Sequence, residues 1–285
     1  MKRMRAFLIV PLVLLAAAQA QAQQVVLDRD IVYYSDKGND LRLDIARPAA
    51  ADQPVPAIIF LPIPTSKARA TYAAQLTSAA QRGYVGVTLG YHYIELEDHG
   101  KARYPFPTQL LDVKRAIRWL RANADTYHVD AEKIGVIGWS YGGYLALMAG
   151  LTGPDDGLEP SPAGADTKVQ AVVSLGGFID WEKMDDSEAA WSLGGSAADI
   201  PEVYTKASPL SHASSDSPPV LLIYGKRDGI VTYDQAVALD RKLKEGGVAE
   251  SLLLINEADH IDVSGYVDKE VVWRFFDQYL KPQGN

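Results

Sequence analysis

The chain has 285 residues, 47% apolar and 22% charged, with 28 Lys+Arg against 36 Asp+Glu for a formal charge of -8. It has no basic surplus and no five-residue run of Lys or Arg, which argues against nucleic acid as a partner. It contains no cysteine, so disulfides, thiolate nucleophiles and cysteine metal sites are excluded and a covalent catalyst must use oxygen or nitrogen.

Lys2, Arg3 and Arg5 precede an almost wholly apolar stretch over residues 7–18, and Ala18-Gln19-Ala20-Gln21-Ala22 presents two overlapping A-x-A patterns. This is the layout of a secretory signal peptide. The apolar stretch is shorter than the roughly 20 residues that span a bilayer. Residues 1–22 are therefore expected to be a cleaved export address, leaving the protein periplasmic or secreted and free of the membrane. Residues 23–285 would then be one domain with 25 Lys+Arg against 36 Asp+Glu, a net charge of -11. A domain of that size buries about three quarters of its unfolded surface and needs no disulfide.

Residues 31–35 and 41–47, joined through Asp36-Lys37-Gly38-Asn39, read as a hairpin. Its second strand alternates Leu41, Leu43 and Ile45 with Arg42, Asp44 and Ala46, as a strand with one wet face does. Residues 57–61, 84–89, 133–139, 169–175, 220–224 and 251–255 are nearly continuous apolar runs, the mark of strands buried on both faces. Helical spacing falls between most of them: Leu110, Val113, Ile117 and Leu120 share one face, as do Val272, Phe275, Phe276, Tyr279 and Leu280. Thr232 and Gln235 resemble a capping box for a helix that Gly246-Gly247 ends. Two antiparallel strands followed by six that alternate with helices predict an α/β fold. It would be a mostly parallel sheet of about eight strands with helices on both faces. Residues 153–168, rich in Pro and Gly, and 180–219, long for one connection, are expected to form a small cap at the C-terminal edge of the sheet. That edge is where ligands bind in such folds.

Gly138-Trp139-Ser140-Tyr141-Gly142 fits G-x-S-x-G, directly after the apolar run 133–137 and before the helix-compatible Tyr144-Leu145-Ala146-Leu147-Met148-Ala149. A nucleophile elbow needs that order of strand, sharp turn and helix, with glycines relieving the crowding around the serine. A serine hydroxyl needs a base, and the base needs an orienting carboxylate. In this architecture the acid follows the penultimate strand and the histidine the last. Asp228 ends Gly225-Lys226-Arg227-Asp228 after residues 220–224, and His260 ends Asn256-Glu257-Ala258-Asp259-His260 after residues 252–255. His92, His99, His128 and His212 do not follow the last strand. Asp234 lies in a capping turn, and Asp259 and Asp262 are too near His260 in sequence.

Tyr91-His92-Tyr93 with Glu95, Glu97, Asp98 and His99 lacks a helical histidine pair or a recognised ligand spacing, so it reads as a solvated loop near the pocket mouth. No metal or cofactor is expected. Trp181 and Trp191 fall in the expected cap, where they either stack on a sugar or acyl group or fill it. Trp119 and Trp273 lie on helices as packing residues.

These features resemble the α/β-hydrolase superfamily. Asp112, Trp119-Leu120-Arg121-Ala122-Asn123, the run Val129-Asp130-Ala131-Glu132-Lys133-Ile134-Gly135-Val136 and the elbow are similar to small bacterial esterases grouped as BD-FAE-like or acetylxylan-esterase-like hydrolases. So are Val32-Tyr33-Tyr34, Leu41-Arg42-Leu43-Asp44 and Ala207-Ser208-Pro209-Leu210. The resemblance covers roughly residues 30–281. It implies Ser140 as nucleophile, His260 as base, Asp228 as its orienter and the Tyr141 amide as an oxyanion donor. The implied activity is cofactor-free hydrolysis of small-molecule or carbohydrate esters, acetyl and feruloyl esters among them. The run from Gly138 to Tyr144 also resembles the prolyl oligopeptidase family, which makes a small peptidase the second reading. A non-catalytic exported binding protein on the same fold is the third. One segment departs from the pattern: where relatives place His-Gly-Gly-Gly, this chain has Pro62-Ile63-Pro64-Thr65. Proline has no N–H to donate. The second oxyanion donor is therefore expected from the amide of Ile63 or Thr65, with the Thr65 hydroxyl as a further option.

Overall fold

The computed structural model describes residues 24–281, apart from 37, 66–67, 94–102, 162–163 and 165. The expected leader, and His99 with Glu95, Glu97 and Asp98, lie outside the described residues. Eight strands form one sheet: β1 (Val25–Asp36), β2 (Asn39–Pro48), β3 (Val55–Leu61), β4 (Val85–Leu89), β5 (Val129–Trp139), β6 (Ala171–Leu175), β7 (Val220–Gly225) and β8 (Glu250–Ile255). Their order is β1-β2-β4-β3-β5-β6-β7-β8, with the β1/β2 and β2/β4 pairs antiparallel and all others parallel. The helices are α1 (Ala73–Gln81), α2 (Thr108–Ala122), α3 (Ala124–Tyr127), α4 (Tyr141–Leu151), α5 (Asp186–Leu193), α6 (Pro201–Ala207), α7 (Pro209–His212), α8 (Tyr233–Glu245), α9 (His260–Ser264) and α10 (Glu270–Leu280).

The sheet divides the core in two because successive strand residues point to opposite faces. Ile134 and Val136 of β5 join Leu110, Val113 and Ile117 of α2, Leu145 of α4 and Leu239 of α8 on one face. Ile137 joins Leu76 of α1 and Val272, Phe275 and Phe276 of α10 on the other. Each such side chain, fully buried, contributes about 1.5–3 kcal/mol of transfer free energy. The central strands thus form a platform buried on both sides, and their C-terminal ends carry the site. Among the described residues no helix is long and apolar enough to cross a membrane.

Three expectations change in detail. β1 begins at Val25, earlier than its apolar content indicates, because its backbone pairs with β2 as far as Val25 opposite Pro48. Thr232 caps α8 without a side-chain bond, and Gln235 turns away from it: its Oε1 accepts the amides of Ile179 (3.3 Å) and Asp180 (3.0 Å), fastening the segment after β6. The described residues of 153–168 do not cap the C-terminal edge. They leave the C-terminus of α4, which runs back along the sheet, and so they reach the opposite edge, where β6 starts. Fully buried Lys114 and half-buried Arg118 of α2 hold them there through Glu159, at 2.6 and 2.9 Å. Burial pulls the Lys114 ammonium below its usual range, against the opposing effect of Glu159. The stretch 180–219 does lie beside the elbow. Trp181 packs on Tyr141, Tyr144 and Phe178, and the Ser192 carbonyl accepts the Phe106 amide at 3.0 Å.

Candidate active site

Ser140 sits between β5 and α4 with φ 55° and ψ -124°, a backbone conformation that costs a non-glycine residue about 1–3 kcal/mol. Its neighbours make that turn possible. A Cβ on Gly138 would stand 2.3 Å from the Gly142 backbone, and one on Gly142 would stand 2.0 Å from the Leu61 carbonyl oxygen. Both contacts are with backbone that cannot rotate away. Gly142→Ala is therefore expected to destabilise the fold by about 3 kcal/mol, at the upper end for overpacking, read as a lowered denaturation midpoint. An unchanged midpoint would mean that the turn is not held against β3.

The elbow faces a continuous hydrogen-bonded line. Ser140 Oγ lies 2.9 Å from His260 Nε2, and His260 Nδ1 lies 2.7 Å from Asp228 Oδ2. Asp228 follows β7, and His260 opens α9 after β8. The Asp228 side chain is fully buried, and its Oδ1 accepts the amides of Ile230 (2.9 Å) and Val231 (2.8 Å). An ionised carboxylate only accepts, so His260 Nδ1 carries the proton and Nε2 is left as an acceptor toward the serine hydroxyl. Asp259 and Asp262, set aside as partners of the histidine, form a reciprocal capping box at α9. Asp259 Oδ1 accepts the Ile261 and Asp262 amides, and the Asp259 amide donates to Asp262 Oδ2. Their D-x-x-D spacing was the available signal.

Tyr141 is the first residue of α4, so its N–H has no intrahelical carbonyl to meet and stands at the positive end of the helix. Its phenol is buried against Tyr144, Phe178 and Trp181, and burial pushes its pKa up. Across the turn, Thr65 has its amide already committed to the Ile63 carbonyl at 2.8 Å. Pro62 and Pro64 have no N–H, so Ile63 supplies the segment's remaining amide. Thr65 is exposed and lines a cleft of about 640 Å³ with Arg42, Arg69, Tyr91, His92, Tyr93, Arg103 and Tyr104, at the ends of β4 and β3.

His92 is not a solvated loop residue. It is 8% exposed, with its ring 4.4 Å from that of Tyr104. Its Nδ1 and its amide both meet Asp112 Oδ2, at 2.8 and 3.0 Å, while Arg115 takes the other carboxylate oxygen. Among the described residues no group of three His, Asp or Glu side chains could hold a metal ion. His212 pairs with Asp156 at 2.9 Å, in the segment at the opposite edge. Trp181 is 1% exposed inside the aromatic cluster, so it fills the cap and offers no face to a ligand. Trp119 and Trp273 pack on Tyr127 and Tyr84.

The profile of the BD-FAE family matches residues 43–243, which is more than half of the chain and includes the elbow and Asp228. The chain belongs to the BD-FAE family. A similar protein is the esterase LipC of Mycobacterium tuberculosis, 34% identical over 227 residues, covering 75% of this chain and 54% of LipC. This BD-FAE member thus spans about half the length of the curated relatives it matches. Among solved structures, a truncated carbohydrate esterase from gut microbiota superposes with a TM-score of 0.70 at 24% identity, covering 90% of this chain and 94% of that one. Esterase Est2 of Thermogutta terrifontis gives 0.73 at 22% identity, with 94% and 96% covered. These likenesses show the α/β-hydrolase fold.

Proposed function

We propose that the chain hydrolyses carboxylic esters through a Ser140 acyl-enzyme. The observation that carries this reading is the line from Ser140 through His260 to Asp228, at 2.9 and 2.7 Å, on a strained elbow. Ser140 Oγ attacks the ester carbonyl as its proton passes to His260 Nε2, while Asp228 holds the imidazole in the correct tautomer and stabilises its cation. The carbonyl oxygen becomes an oxyanion, received by the Tyr141 N–H and the Ile63 N–H. Collapse of this intermediate breaks the bond to the alcohol, which leaves with the proton from His260. Water, deprotonated by the same histidine, then releases the acid from Ser140 and restores the enzyme.

The alcohol side of the substrate fits the cleft beyond Thr65. Tyr93, 40% exposed, offers an apolar face there, while Asn39, Asp40 and the guanidinium groups of Arg42 and Arg69, held by Asp30, Asp40 and Asp44, make the wall beside it polar. That mixture suits a carbohydrate or other hydroxylated alcohol, with a small acyl group such as acetyl. Residues 1–22 support export with cleavage after Ala22. N-terminal sequencing of protein from the periplasm or medium should then begin at Gln23.

The reading is tested by treating the protein with a fluorophosphonate probe and mapping the adduct, then comparing turnover of short acyl esters with peptide amides. Labelling at Ser140 and dominant ester turnover are expected. Dominant amide turnover would favour the peptidase, and a folded, unlabelled protein would favour a binding role. Thr65→Val addresses the oxyanion site, because it removes the hydroxyl and keeps the amide. Its kcat should stay close to wild type if Ile63 N–H is the donor, whereas a loss of about 10²–10³ would assign the role to the Thr65 hydroxyl.

A further inference from the structure

His260 has a reach problem that the sheet alone does not solve. It follows β8, three strands away from β5, where the nucleophile sits. At about 4.8 Å between neighbouring strands, that is a lateral distance of about 14 Å. The imidazole must nevertheless hold its nitrogens at Ser140 and Asp228 together. The turn that presents it is shaped mainly from its own side of the sheet. The Asp259 and Asp262 box closes the start of α9, and the Ala258 carbonyl accepts the Arg227 amide at 3.0 Å, tying the turn to the end of β7. These bonds set the shape of the turn and leave its distance from β5 open.

The residue just before the nucleophile supplies that distance. The Trp139 indole Nε1 donates to the His260 carbonyl oxygen at 2.8 Å, and its ring stands 5.3 Å from the imidazole at an interplanar angle of 41°. Trp139 is itself firmly placed as the last residue of β5, in register with Leu175 of β6. Buried Tyr72, its hydroxyl pushed up to about 12 by burial against the opposing effect of the Trp139 backbone, stands beside it. Among the described residues, the hydrogen bonds from His260 to the β5 side are the one to Ser140 Oγ and this one.

We propose that Trp139 is a positioning residue for the base. Its indole N–H straps the His260 backbone to the nucleophile's own strand and so fixes the Oγ to Nε2 distance without touching substrate. This rests on the esterase reading. The strap acts on the proton transfer and leaves the substrate cleft alone, so its loss should appear in kcat and not in KM.

The test is Trp139→Phe, which keeps an aromatic ring and removes the N–H. A second variant carries the benzothiophene analogue of tryptophan at position 139, which keeps the bicyclic shape and lacks only the donor. In both, kcat on a short acyl ester and the rate of fluorophosphonate labelling should fall about tenfold, the scale of one net hydrogen bond, with KM unchanged. The cycle with His260→Ala separates positioning from packing. If Trp139 acts through the base, removing its N–H should not further slow the residual labelling of His260→Ala. Wild-type kcat in the benzothiophene variant would overturn the proposal, as would the same tenfold loss persisting in the His260→Ala background. A wild-type protein inert to both ester and probe would overturn the esterase reading first, and this inference with it.

Discussion

Ser140→Ala is expected to lower ester turnover by about 10⁶-fold, the loss seen when the nucleophile of a well-studied serine protease is removed. A residual acceleration of about 10³–10⁴ over water should survive, because the oxyanion donors and the binding cleft remain. The fold should survive as well. Ser140 Oγ bonds only to His260 among the described residues, and the backbone bonds that hold the turn, from the Ser140 amide to the Leu175 carbonyl (2.9 Å) and from the Tyr144 amide to the Ser140 carbonyl (3.0 Å), do not involve the side chain. Ser140→Gly separates strain from chemistry. Glycine adopts φ 55° without a Cβ penalty, so this variant should be as inactive as alanine yet more stable by about 1 kcal/mol. Initial rates on a short p-nitrophenyl ester and thermal unfolding of all three proteins check both halves. Retained turnover in Ser140→Ala would remove the serine from the mechanism, and a Ser140→Gly protein no more stable than wild type would mean that the elbow is unstrained.

Asp228→Asn should cost about 10⁴-fold in kcat near neutral pH, again with little loss of fold. The reason lies in how the two carboxylate oxygens are used. Oδ1 receives the Ile230 and Val231 amides, and an asparagine carbonyl can take over that task. The asparagine NH₂ would then occupy the position of Oδ2, facing His260 Nδ1. Two donors cannot share a hydrogen bond, so the imidazole moves its proton to Nε2 and presents an N–H to the serine where a base is needed. Asp228→Ala is the contrasting case: it also leaves the Ile230 amide and the buried Val231 amide without their carboxylate partner and should unfold at lower denaturant as well as lose activity. Asp228→Asn turnover within about tenfold of wild type would show that the tautomer is set elsewhere.

How much of this was legible depended on the range of the interactions involved. The eight strands were readable from continuous or alternating apolar residues, but β1 and β5 begin earlier than those residues indicate, at Val25 and Val129, because their extra lengths come from pairing with β2 and β3. The convergence of Ser140, Asp228 and His260 was readable because this architecture places such groups at the ends of particular strands, and strand ends can be counted along a chain. His92 was misjudged as solvated because its burial comes from Asp112, twenty positions away, and from Tyr104. Gln235 was assigned to its own helix cap, whereas it serves the backbone at Ile179 and Asp180. Trp139 occupied the unspecified position of the G-x-S-x-G pattern, so nothing local marked it.

The amino-acid sequence by itself determined the order of elements, the two-sided burial of the central strands and the candidate chemistry, because hydrophobic period, glycine placement and strand order are local properties of the chain. Only the tertiary structure decided which edge of the sheet each connection occupies. It sent residues 153–168 to the edge opposite the elbow and 180–219 beside it, since a helix packed antiparallel to its strand returns the chain to the far side. It also committed the Thr65 amide to Ile63 and brought the Trp139 indole to the His260 carbonyl. Those outcomes depend on distances between groups up to 121 positions apart, set by sheet spacing and packing that no single segment of the chain encodes.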